Sequence, residues 1–108
     1  MRSAKVYMHD KLAGILEETD NGYRFAYEKE YLADAAAVPV SLTLPLSGIP
    51  YLNKQLFSFF DGLIPEGWLL DLAEKNWKLN PRDRMGLLLA CCKDTIGAVG
   101  IEAIVPKK

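Results

Sequence analysis

The sequence predicts an α+β fold: an N-terminal antiparallel β meander, a helical middle, and a last strand that returns to close a small sheet or barrel. Three observations carry this expectation. The first quarter alternates apolar and polar residues around two short turn signals. The second half places apolar residues at helical spacing. Residues Ile96 to Val105 are then rich in β-branched side chains, and an isolated strand there would leave its backbone groups unpaired.

Each element has its own signal. Lys5 to His9 is short and β-rich, Asp10-Lys11 is a two-residue turn, and Leu12 to Thr19 returns. Asp20-Asn21-Gly22 is the strongest hairpin signal, because Asn and Gly tolerate positive φ. Tyr23, Phe25 and Tyr27 then alternate with Arg24 and Ala26. Glu28 to Ala37 is rich in Ala, Glu and Lys and reads as a short helix ended by Val38-Pro39. Ser41-Leu42-Thr43-Leu44 alternates again and stops at Pro45, and Gly48, Pro50 and Asn53 mark a loop. Leu56, Phe59, Phe60 and Leu63 form one apolar stripe, and Leu69, Leu72, Ala73 and Trp77 form the next. Asn80-Pro81 starts a third helix with Met85, Leu88, Leu89 and Cys92 on its stripe.

Composition narrows the function. At 108 residues, the chain 1–108 is expected to be one domain with a core of its own. Net charge is −1 and no Lys/Arg stripe stands out, so direct nucleic-acid binding is not expected. No apolar run approaches the roughly 20 residues of a membrane span, and the N-terminus does not read as a secretory signal. Cys91 and Cys92, the only cysteines, are adjacent and read as reduced thiols of a cytoplasmic protein.

The search for chemistry returns little. His9 is the only histidine, and two neighbouring cysteines on a helix point about 100° apart, which suits neither one metal nor a ready Cys–His pair. Gly97-Ala98-Val99-Gly100 matches no phosphate-binding loop, and the kinase motifs are absent. No catalytic residue, metal or cofactor is therefore assigned. Asp61-Gly62 and Asp94, before the strand that holds Gly97, read as structural breaks where an Asp side chain can accept backbone N–H bonds.

The segment Phe57 to Leu70 stands apart. An aromatic run stops at Asp61-Gly62, and a helical run restarts at Pro65-Glu66-Gly67 with Trp68 in its first turn. Trp68 sits at the edge of its apolar stripe. Two readings stay open: packing back onto Phe60 or Leu63, or a partly exposed aromatic anchor of the kind enriched at interface hot spots. Pro65, Glu66, Gly67 and Trp68 are the candidate partner contacts.

Three segments, in order, carry a resemblance: Ser41-Leu42-Thr43-Leu44-Pro45-Leu46, Phe60-Asp61-Gly62-Leu63-Ile64-Pro65-Glu66-Gly67 and Lys93-Asp94-Thr95-Ile96-Gly97-Ala98-Val99. Together they resemble the N-terminal subdomain of HipA-type serine/threonine kinases, the toxins of bacterial toxin–antitoxin systems. One position departs, since the family usually has Gly where Cys92 stands, and a left-handed cap is costlier for Cys. The resemblance implies either an excised N-terminal subdomain of a full-length HipA-type kinase toxin or a stand-alone HipS-like antitoxin. It further implies a HipA/HipT-type kinase as main partner, a HipB-type helix-turn-helix DNA-binding protein as possible third member, and ATP, magnesium and the catalytic aspartate all on the kinase.

Overall fold

A computed structural model describes residues 2–64, 82–91 and 99–104. Five strands form one antiparallel sheet: β1 (Ser3–Met8), β2 (Lys11–Thr19), β3 (Gly22–Tyr27), β4 (Tyr51–Asn53) and β5 (Val99–Ile104). Their order across the sheet is β4-β3-β2-β1-β5. The α+β expectation holds, and the last strand does return: β5 pairs antiparallel with β1, Val6 opposite Ile101. Three short helices complete the described fold, α1 (Lys29–Ala33), α2 (Ser58–Asp61) and α3 (Arg84–Cys91).

The two hairpins are tight. Met8 pairs with Lys11 around His9-Asp10, one residue earlier than the expected turn, and His9 takes positive φ. Thr19 pairs with Gly22 around Asp20-Asn21, and the positive φ falls on Gly22 (145°). Glycine is required there twice over, because a Cβ would also lie 2.2 Å from the Asn53 carbonyl oxygen on β4.

Side-chain alternation divides the sheet into two faces. Ala4, Val6 and Met8 of β1, Leu16 of β2, and Phe25 and Tyr27 of β3 turn inward and are buried. Phe60, Met85, Leu87 and Leu88 from α2 and α3 belong to the same buried cluster. The rings of Phe25 and Phe60 stand 5.4 Å apart, and Phe25 meets Tyr27 edge-on at 5.0 Å. Such pairs add to the area term that drives burial.

Five local expectations are corrected. The helix predicted over Glu28 to Ala37 ends at Ala33, because the Asp34 carboxylate accepts the Ala36 N–H (2.9 Å) and turns the chain. Ser41 to Leu44 is a tight turn and not a strand. Leu44 N–H bonds to Ser41 O (3.1 Å), and Ser41 Oγ accepts the Thr43 N–H (3.2 Å). Tyr51–Asn53, read as loop, is edge strand β4, with Phe25 opposite Tyr51. On and around α2 the buried set is Leu56, Phe57, Phe60 and Ile64, while Phe59 and Leu63 are only partly buried. The α3 helix begins at Arg84, with Asp83 capping it through the Gly86 N–H (3.2 Å), three residues beyond the Pro81 start read from the sequence. The helix expected around Leu69–Trp77 lies outside the described residues.

Tyrosine hydroxyls tie the segment after α1 to the sheet. Tyr27 Oη accepts the Val40 N–H (3.0 Å) and donates to the Leu44 carbonyl in a very short hydrogen bond. Tyr31 Oη donates to Val38 O (2.6 Å) and accepts the Val38 N–H (3.2 Å). Tyr51 Oη donates to Pro45 O (2.7 Å). Removing the buried Tyr27 hydroxyl orphans one backbone donor and one acceptor. Tyr27→Phe should therefore lower stability by about 2 kcal/mol, read as a lower urea midpoint at unchanged slope.

Candidate protein-interaction site

The candidate contacts Pro65, Glu66, Gly67 and Trp68 lie outside the described residues, as do Asp94, Gly97 and Cys92. What the structure describes is how the chain is held on either side of residues 65–81. On the N-terminal side, α2 closes with Gly62 N–H on Ser58 O (2.9 Å), followed by Leu63 N–H on Phe60 O (3.1 Å) and Ile64 N–H on Asp61 O (3.2 Å). Gly62 keeps a right-handed conformation (φ −69°), so the helical path tightens there without a left-handed cap. Ile64 is buried and fixes the last described position before Pro65.

The C-terminal side is fixed by charge. Asp61 accepts a very short hydrogen bond from Arg84 Nε, joining α2 to α3. The side chain of Asp61 is thus an ion-pair partner that links the two ends from which residues 65–81 depart. Next to it, Arg2, the residue before β1, engages two carboxylates, each through two bonds. Its Nε and Nη2 donate to Glu18 at 2.7 and 2.8 Å, and its Nη1 and Nη2 donate to Asp83 at 2.7 Å each. Forked pairing of this kind is a geometry only Arg supplies. The Arg2 hydrogen bonds hold both carboxyls below the ordinary carboxylate range, and Arg2 itself is raised further, so it stays charged throughout.

Between these supports lies a cleft of about 550 Å³ lined by Tyr23, Lys54, Gln55, Ser58, Asp61 and Arg84, among others. Burial, and then the Glu18 charge, push the Tyr23 phenol up, so it is neutral at physiological pH. Among the described residues the cleft offers two hydroxyls (Tyr23 and Ser58), the Gln55 amide, two cations and a carboxylate already bonded to Arg84. Of these described residues, none is a nucleophile hydrogen-bonded to a general base. His9 is exposed in the β1–β2 turn, and no group of three potential metal ligands occurs among the described residues. No helix among them is long and apolar enough to cross a membrane.

The model of the HipA N-terminal domain matches residues 4–102. The chain belongs to the HipA N-terminal domain family. An uncharacterized protein of Haemophilus influenzae is 31% identical over 102 residues, which span 94% of this chain and 92% of that protein. The solved structure of the N-terminal domain of HipA toxin is similar with a TM-score of 0.77 at 27% identity, over 99% of this chain and 96% of that chain.

The Arg2 contacts were invisible in the sequence because 81 positions separate Arg2 from Asp83. Their effect is testable through pH. A carboxyl whose folded pKa is depressed adds stability that is complete above its unfolded value and lost as pH falls through the folded one. Glu18 and Asp83 should thus hold the fold fully above about pH 5 and progressively less below about pH 4. The groups are partly exposed, which limits the gain to on the order of 1 kcal/mol. Urea midpoints at pH 7 and pH 3.5 should differ less for Arg2→Met than for the unaltered protein, with the residual slope belonging to pairs such as Lys11–Asp34 (2.6 Å).

Proposed function

We propose that this protein is a non-catalytic binding module that docks on a HipA/HipT-type serine/threonine kinase and suppresses it, in the manner of a HipS-like antitoxin. Pro65, Glu66, Gly67 and Trp68 form the contact. The observation that carries this is the family match to the HipA N-terminal domain over residues 4–102. The Haemophilus influenzae relative supports it, since its alignment with this chain spans 92% of that protein. The anchored ends of residues 65–81 support it as well. Ile64, the Asp61–Arg84 pair and the Arg2 contacts hold the described residues on either side of 65–81 in place, which lowers the entropy cost of a contact made there. The module acts in the cytoplasm, where a HipB-type DNA-binding protein is a third member of the system.

A second reading follows from the solved N-terminal domain of HipA toxin, which spans the same length of chain: the domain packs in cis on its own kinase core. Adding the purified protein in trans to a HipA/HipT-type kinase lacking this domain separates the two. Inhibition with a defined stoichiometry supports the antitoxin, and an unaffected kinase supports the cis role.

Truncating a hot-spot tryptophan costs about 2 kcal/mol of binding, or about thirtyfold in affinity. Trp68→Ala is expected to keep its far-UV circular dichroism and lose inhibition by that factor. A folded variant that inhibits as well as the parent removes Trp68 from the contact.

A further inference from the structure

All five exposed large apolar side chains of the described residues fall in one stretch, residues 38–52: Val38 (48%), Leu42 (94%), Leu46 (37%), Ile49 (77%) and Leu52 (74%). Between Asp34 and Lys54 the sequence has no Asp, Glu, Lys, Arg or His, although a quarter of the chain is charged. Scattered surface leucines are normal, but a run of them within a charge-free stretch marks an interaction surface.

The stretch is also held in shape. Tyr31, Tyr27 and Tyr51 bind its backbone at Val38, Val40, Leu44 and Pro45. The Ser41 turn puts Leu42 at its tip, and Ser47 Oγ accepts the Ile49 N–H (3.1 Å). Val40 and Leu44 point into the core while Leu42 between them points out. The hydroxyls of Ser41, Thr43 and Ser47 are engaged within the stretch itself, so its outward chemistry is apolar.

We propose that residues 38–52 are a second docking surface, received by an apolar, uncharged groove on the partner protein. The proposal rests on the chain being a binding module and adds a contact distinct from residues 65–68. Charge matching sets the occupant. A charged groove would be desolvated against a stretch that offers no counter-charge. Nucleic acid needs cations that the stretch lacks. A lipid surface is favoured by Lys and Arg around an apolar face, whereas the stretch itself carries none and Arg24, opposite Leu52 on β3, is paired with Glu17 (3.1 Å). The fixed backbone adds to affinity because little has to be ordered on binding.

The test uses Leu42→Asp and Ile49→Asp, singly and together, with the purified HipA/HipT-type kinase as probe. Both positions are exposed, and melting temperatures close to that of the parent are expected. Titration calorimetry should show about tenfold weaker binding for each single variant and more for the pair. A double variant that binds the kinase like the parent overturns the second surface, whatever Trp68→Ala does. Weakening in the double variant alone, with Trp68→Ala unchanged, keeps this surface and removes residues 65–68 from the contact. Sedimentation and flotation on phosphatidylglycerol vesicles test other occupants. Parent self-association, or vesicle binding, that the double variant abolishes while kinase affinity stays constant would also overturn the proposal.

Discussion

The phenol of Tyr27 is the constraint on which most of the described architecture depends. Its ring lies against Phe25 in the core and stacks on Tyr31, at 5.0 and 6.1 Å. Its hydroxyl, buried among apolar side chains, is satisfied only by the backbone at Val40 and Leu44. A buried polar group without partners is costly, so the sheet dictates where the segment after α1 must run. Val40 and Leu44 enter the core as a result, and the turn between them faces outward. The presented surface is therefore a consequence of core packing on β3.

A second, electrostatic constraint works at the opposite side of the fold. The apolar cluster holds α2 and α3 against the sheet without fixing their ends. Ion pairs do that: Asp61 with Arg84, and Arg2 with Glu18 and Asp83. Each is worth little alone at a partly exposed site, but the Arg2 fork links two strands and a helix terminus at once. The segment that holds Trp68 is thus bounded on both sides by residues tied to the body.

What could be read from the sequence followed the range of the interactions. Alternation placed β1, β2 and β3 and their hairpins within a residue or two, because a strand with one buried face writes its period directly. That the last strand pairs with the meander followed from backbone accounting, but its choice of β1 as partner did not. Ser41 to Leu44 misled because a four-residue turn flanked by buried residues shows the same alternation as a strand, and only the Ser41 hydroxyl tells them apart. The β4 strand hid behind Pro50 and its three-residue length. The α1 helix was overextended because alanines after Asp34 favour helix, while the Asp34 side chain competes for their backbone. The Arg2 fork and the tyrosine ties join distant positions and leave no local pattern. The helix stop at Asp61-Gly62 was legible in the sequence, whereas the proposed contact at residues 65–68 lies outside the described residues. The charge-free stretch 35–53 was equally visible in the sequence, but its meaning depended on knowing which of its leucines are exposed.

The central claim is that the protein works by contact, through a fixed apolar surface and the segment after Ile64. Hydrogen–deuterium exchange of the chain, free and saturated with a HipA/HipT-type kinase, tests it most directly. The account predicts added protection across residues 38–54 and 63–70, with little change at the outward positions Lys5 and Ile15 of β1 and β2. Protection confined to that outer sheet face, or none anywhere in a saturated complex, would contradict it.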